Sequence, residues 1–237
     1  SARRPWIDWI HTSRDQAALV RDFIKWDDQP ASLTSSLDSM ARAHTIATTE
    51  PKGPTYVCFD VAVQEQSVES APILPNPILF EPPRIPGINP SDLDQVIELL
   101  RSASKPLFLM GRMPICDDNW NNRIRLAEYF NASVLADIKT NISFPTSHPN
   151  AIGAPGFFLS PESTEALEDC DLVVSFDWID LGTVLKPIKN KPKVVHISLD
   201  HHMTNGWSMD HMGPLPCNLR IAAHPAVMVD AICAAVN

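Results

Sequence analysis

From residue 89 onward, short continuous apolar runs alternate with segments whose apolar residues recur every three or four positions. The runs are Leu107-Phe108-Leu109-Met110, Ser133-Val134-Leu135-Ala136, Asp171 to Phe176, Lys193 to Leu199 and Asn218 to Ala222. They have strand length without a polar face, the pattern of strands buried in a parallel sheet. Between them the helical period predicts helices. Leu93, Val96, Ile97 and Leu100 share one face, behind Asn89 as cap, Pro90 in the first turn and Asp92 near the positive helix end. A second helix is expected over Asp118 to Phe130 with Trp120, Ile124 and Ala127 inward. A third starts at Ser160-Pro161-Glu162, and a closing one runs from Pro225 to Val236. This alternation over short connections predicts an α/β fold, a doubly wound parallel sheet. Ligands in such sheets sit outside the carboxyl ends of the strands, here Gly111-Arg112, Asp137 to Gly156, Asp177 to Asp180 and Asp200 to Trp207.

Upstream the pattern is thinner. Trp6, Ile7 and Trp9 are apolar with no capping signal before them. Arg14 to Arg21 predicts a helical turn and Asp22 to Trp26 a short strand. Residues 33–49 read as an amphipathic helix with Leu33, Leu37, Met40, Ala41 and His44 at helical spacing and Ala43 and Ala47 allowing close packing, stopped by Pro51, Gly53 and Pro54. Thr55 to Phe59 reads as a buried strand. One helix and two or three strands make the tail of an α/β domain. Pro72, Pro75, Pro77, Pro82, Pro83, Pro86 and Pro90 then define a semi-rigid connector, apolar enough to lie along a surface. The expected division is a partial α/β segment at 1–66, a Pro-rich linker at 67–89 and a central α/β domain at 90–237.

Composition narrows the function classes. With 237 residues and 44% apolar content the chain can build a proper core. It has no membrane-length apolar run, and no signal peptide is expected. A net charge of -9 argues against a nucleic-acid partner, which needs a basic face, and suits a cytoplasmic protein. Five scattered cysteines without CxxC spacing make neither a zinc site nor a disulfide framework.

Candidate chemistry sits on loops. Phe144-Pro145-Thr146-Ser147-His148-Pro149-Asn150-Ala151-Ile152-Gly153 is too rich in Pro, Ser, Asn and Gly for helix or strand. It offers one imidazole, His148, between a strand and a helix, and imidazole titrates near operating pH. The plainer alternative is a hydrogen bond that orders the loop. Asp200-His201-His202, with Asp210-His211 nearby, could hold a metal and matches the namesake motif of a phosphoesterase family. That chemistry needs further acids, for which Asp137, Asp177 and Asp180 are the candidates, and no metal site is expected. Gly111-Arg112 could approach a phosphate, but Met113-Pro114 follows where a glycine cluster is needed. Trp178 and Trp207 read as packing residues.

Three segments together resemble the thiamine-diphosphate-dependent decarboxylase, lyase and acetolactate-synthase-like family. Phe23-Ile24-Lys25-Trp26, then Arg42-Ala43, then Lys52-Gly53-Pro54-Thr55-Tyr56-Val57 resemble the end of the pyrimidine-binding domain. Leu99-Leu100 to Gly111 resembles the opening of the central domain, which is Rossmann-like. Phe144-Pro145-Thr146-Ser147-His148-Pro149 with Gly153 and Gly156, then Asp171-Leu172-Val173-Val174, resemble the family's "FP..HP…G..G" loop and following strand. Acetolactate-synthase-like and benzoylformate-decarboxylase-like members fit best. The resemblance implies that His148 lies near the active site of the intact enzyme and that thiamine diphosphate and Mg²⁺ are its cofactors. It also implies a 2-oxo acid or related acyl substrate and a homodimer or homotetramer. The family's activating glutamate belongs upstream of residue 1, and its GDG motif with a following asparagine downstream of residue 237; no GDG occurs here. The chain is therefore expected to be a central portion of the enzyme, inactive alone. Some family members bind FAD or ADP in the central domain, but no residue here is assigned to that task. The alternatives are a stand-alone FAD-, ADP- or NAD-binding α/β module, and a metal phosphoesterase using Asp200, His201 and His202.

Overall fold

The structure, a computed structural model, describes residues 12–140, 142–153, 156–200 and 213–236. The chain forms two compact units that divide between Arg84 and Ile85.

In the first unit, strands β1 (Trp26–Asp28) and β2 (Thr55–Val57) pair in parallel, Trp26 opposite Thr55. Helix α1 (Leu33–Thr48) joins them. Ser32 and Ser35 cap its start reciprocally. At its end Lys25 Nζ donates to the carbonyls of Ile46 and Thr49, at 2.7 and 2.8 Å. The inward face differs in part from the expected one: Ala43 is buried as expected, but Ser36 and Ser39 are buried beside it, while Met40 is half exposed. Small residues let α1 approach the strands closely, and Ser39 Oγ donates to Asp28 Oδ2. The strand expected at Asp22 to Trp26 is absent. Arg21–Phe23 is a 3₁₀ turn and the strand begins at Trp26, because Arg21 is clamped between Asp15 and Asp27, both at 2.8 Å. Asp60 caps the short helix α2 (Val61–Gln64), and Thr45 Oγ1 donates to the carbonyl of Phe80 at the end of the Pro-rich stretch. Trp6, Ile7 and Trp9 lie outside the described residues.

The second unit holds five parallel strands, β3 (Pro106–Met110), β4 (Ser133–Ala136), β5 (Leu172–Phe176), β6 (Lys193–Ser198) and β7 (Leu219–Ala222), in the order β4-β3-β5-β6-β7. Alternate residues of each strand enter opposite cores. Phe108, Met110, Val134, Val174, Phe176, Val195 and Ile197 pack under helices α3 (Pro90–Ser102), α4 (Asp117–Tyr129) and α7 (Pro225–Val236). Leu107, Leu109, Leu135, Val173 and Val194 pack under α5 (Pro161–Asp169) and α6 (Leu181–Leu185). Both faces are covered, which is why these strands read as apolar runs. Each fully buried Leu, Val or Phe contributes about 1.5–3 kcal/mol. The expected caps are formed: Asn89 Oδ1 accepts from the N–H of Ser91, and Ser160 Oγ from that of Ser163.

Helix α4 is rotated from its expected setting. Asn119, Arg123, Leu126 and Ala127 are its buried residues, and Trp120 and Ile124 are only partly covered. Two polar residues face inward because they find buried partners. Asn119 Nδ2 donates to the carbonyl of Ala226, and Arg123 donates to the carbonyls of Asn119, Ser143 and Pro114.

Candidate functional site at the carboxyl ends of the strands

From β3 the sheet builds to β4 on one side and β5 on the other, so the crevice of this fold lies outside their carboxyl ends. Gly111 ends β3 with its N–H on the carbonyl of Phe176 at 3.0 Å, and the N–H of Arg112 reaches the carbonyl of Asp177 at 3.1 Å. Arg112 then bridges two more strand ends. Its Nη2 donates to Asp177 Oδ1 at 2.9 Å and its Nη1 to Asp200 Oδ2 at 3.1 Å. Its Nε lies 2.9 Å from Asp177 Oδ2 without hydrogen-bond alignment, a charge contact only. Ser198 Oγ donates to Asp177 Oδ1 at 2.5 Å and accepts from the N–H of Asp200 at 2.8 Å. Burial pushes the Asp177 carboxyl above the usual carboxylate range, and the attraction of Arg112 only partly offsets it. For Arg112 burial works against the charge, but Asp177 and Asp200 outweigh it and hold the guanidinium above its ordinary value.

Beside this network the buried Asp137 holds Lys139 Nζ and the Lys139 N–H, both at 2.9 Å. Lys139 Nζ lies 5.6 Å from the centroid of Trp178. Asp180, at φ 61°, caps α6 by accepting from the N–H of Thr183. A cavity of about 310 Å³ opens between α5 and α6, lined by Lys139, Ile152, Phe158, Ser160, Trp178 and Thr183 among others.

The His148 loop leaves β4 at Asp137 but does not stay at the carboxyl end, where it was expected. Ser143 Oγ donates to the carbonyl of Met110, and Phe144 is buried in the core under α4. After the turn, the N–H of Val134 donates to the carbonyl of Asn150 and the N–H of Ile152 to the carbonyl of Val134 along the edge of β4, and Asn150 Nδ2 donates to the carbonyl of Ala132. Burial of Phe144 and this edge pairing draw the turn back toward the amino end of β4. There His148 Nε2 lies 3.4 Å from Glu128 Oε1, in the last turn of α4. Its Nδ1 accepts from the N–H of Asn150 at 3.2 Å, which leaves Nε2 as the protonated nitrogen of the neutral ring.

The acids proposed for metal chemistry are dispersed among other partners. Asp137 holds Lys139, Asp177 and Asp200 share Arg112, and Asp180 caps a helix. Among the described residues no three His, Cys, Asp or Glu side chains surround a metal position. His201, His202, Asp210, His211 and Trp207 lie outside the described residues. Sequence reasoning named Gly111-Arg112, Asp177 and Asp200 separately and missed that Arg112 joins them, since the pairs lie 65 and 88 residues apart. It also missed Arg123, for which the signal was a charge three residues from Trp120 and four from Ala127.

A doubly wound parallel sheet with its crevice outside β3 and β5 defines a Rossmann-like α/β domain. The family model described as "Thiamine pyrophosphate enzyme, central domain" matches residues 93–211, half of the chain, and the chain belongs to that family. It is 26% identical over 174 residues to the acetolactate synthase large subunit of Corynebacterium glutamicum, covering 68% of this chain and 26% of that protein. It is 28% identical over 183 residues to the sulfoacetaldehyde acetyltransferase of Rhodobacter capsulatus, covering 75% of this chain and 28% of that protein. The benzoylformate decarboxylase of Polynucleobacter necessarius shares the fold, with a TM-score of 0.62 at 19% identity over 89% of this chain and 38% of that one. The chain thus spans little more than a quarter of these curated relatives' length. The described residues do not by themselves fit thiamine diphosphate with its metal. Asp177 and Asp200 share Arg112, Asp137 holds Lys139 through Oδ1 with its buried Oδ2 left without a hydrogen bond among the described residues, and the chain carries no GDG.

Proposed function

We propose that this chain is the central portion of a thiamine-diphosphate-dependent lyase or transferase, decarboxylase-like or acetolactate-synthase-like, acting on a 2-oxo acid or a related acyl substrate. The observation that carries this reading is the central-domain match over residues 93–211. The names of the relatives, an acetolactate synthase and an acetyltransferase, support the acyl-transfer side of it. Residues 1–66 are proposed as the end of a pyrimidine-binding domain, 67–89 as its linker and 90–237 as the central domain. Thiamine diphosphate and Mg²⁺ are the proposed cofactors, held by motifs this chain does not carry. A cytoplasmic homodimer or homotetramer is proposed for the intact enzyme. Thiamine diphosphate, held by other parts of the intact enzyme, would supply a nucleophilic carbon and an electron sink for carbon–carbon cleavage.

Within this reading His148 is proposed as a proton-transfer group near the substrate, on the strength of the "FP..HP" match. Its contacts with Asn150 and Glu128 favour a second reading, in which the imidazole orders its own loop. The deciding experiment is turnover of benzoylformate and other 2-oxo acids by the intact gene product, with and without thiamine diphosphate and Mg²⁺. The proposal expects turnover that requires both. Turnover independent of thiamine diphosphate, or none with any 2-oxo acid, contradicts it.

A further inference from the structure

The crevice outside β3 and β5 is where sheets of this topology take a dinucleotide. Binding a pyrophosphate there uses backbone N–H groups free to face it, a helix N-terminus without its own anion, and a cation free to pair. Among the described residues all three are engaged within the chain itself.

The strand-end amides are the first. Gly111 N–H is on the carbonyl of Phe176, Arg112 N–H on that of Asp177 and Asp177 N–H on that of Ile197. Asp200 N–H is on Ser198 Oγ and Lys139 N–H on Asp137 Oδ1. The turn is also close-packed: a side-chain carbon on Gly111 would lie 2.1 Å from the Asp177 carbonyl oxygen. The helix is the second. The N-terminal turn of α4, which follows β3, carries Asp117 and Asp118, whose charges near the positive helix end disfavour a second anion there. The cations are the third. Arg112 is shared by Asp177 and Asp200, and Lys139 is held by Asp137. Among the described residues at these strand ends three acids stand against two bases, a balance that disfavours phosphate. A pyrophosphate drawing Arg112 away would leave two buried carboxylates without a counter-charge. The cavity between α5 and α6, at about 310 Å³, is at the low end of the roughly 300–1,000 Å³ of ligand pockets, and its Lys139 is the one already paired.

We infer that the central unit takes no FAD, ADP or NAD, and that Arg112, Asp177, Ser198 and Asp200 tie the ends of β3, β5 and β6 together in place of a bound nucleotide. This is independent of which reaction the enzyme performs, and thiamine diphosphate binding measured in parallel keeps the two questions apart.

The test is calorimetric titration of the purified protein with FAD, ADP and NAD at millimolar concentration, with the visible spectrum checked for co-purified flavin. No binding heat and no flavin are expected. Saturable binding of any of the three, or bound flavin, overturns the inference. In a second arm Arg112→Gln is expected to lower the melting temperature by several degrees, and neither FAD nor ADP to restore it. A variant that melts like wild type, or that a nucleotide rescues, also overturns it. Should Arg112→Gln fail to fold, Asp200→Asn, which keeps the Ser198 contacts with the backbone, is read in the same way.

Discussion

A side-chain carbon on Gly111 would lie 2.1 Å from the carbonyl oxygen of Asp177 and 2.6 Å from the Cα of Trp178. Both atoms are backbone, at the end of a strand buried on both faces, so neither can yield as a flexible side chain would. The ends of β3 and β5 can come this close only with glycine at 111, and that approach brings Arg112 to its carboxylates. Gly111→Ala is therefore expected to destabilise the central unit by about 3 kcal/mol, the upper end for overpacking. Chemical denaturation checks this; a midpoint unchanged from wild type contradicts it.

The raised pKa of Asp177 makes a signed prediction. The folded state holds the Asp177 proton more tightly than the unfolded chain, whose value is near 3.8. The stabilisation from this group is therefore fully present below that value and is lost as pH rises through the raised folded pKa. Asp177→Asn removes the titration. The stability difference between wild type and this variant should favour wild type more at pH 4 than at pH 7. A difference that grows toward pH 7 would show that the pairing with Arg112 dominates over burial.

Arg123 is 1% exposed and donates to three carbonyls, with no carboxylate partner among the described residues. Burial lowers its pKa to about 10. Its hydrogen bond to the Ser143 carbonyl fixes the start of the His148 loop. Arg123→Met keeps much of the volume but strands acceptors, each at about 1–3 kcal/mol. The expected result is a clear loss of stability, with faster amide exchange in residues 144–152. Unchanged exchange there would mean that the loop is held by Phe144 and Asn150 alone.

For His148 two substitutions separate the readings. If the imidazole transfers a proton in the intact enzyme, His148→Ala and His148→Asn both lose about 10²–10⁴-fold in turnover with stability nearly unchanged. If it orders the loop, His148→Ala lowers the melting temperature with turnover per folded molecule retained. Asn then recovers part of that loss by accepting the Asn150 N–H.

Much of the fold was legible because its signals are local. Asn89-Pro90 and Ser160-Pro161 marked helix starts, and the apolar runs marked the five strands of the central sheet. What escaped depends on contacts distant in sequence. The strand at Trp26 is displaced because Arg21 reaches both Asp15 and Asp27. Helix α4 turns Arg123 inward because Ser143 and Pro114 present carbonyls to it. The His148 loop doubles back because Phe144 finds the core and Asn150 to Ile152 find the edge of β4. Of the candidate site, the strand-end positions were readable from the α/β alternation, but their closure around Arg112 was not, since nothing near Arg112 in sequence announces two carboxylates.

The central claim, a thiamine-diphosphate-dependent enzyme of which this chain supplies the central domain, is tested most directly by titrating thiamine diphosphate into two proteins in the presence of Mg²⁺: the intact gene product and the 237-residue chain alone. The account predicts saturable, Mg²⁺-dependent binding to the first and none to the second. Absence of binding to the intact gene product, or equal binding to the 237-residue chain, would contradict it.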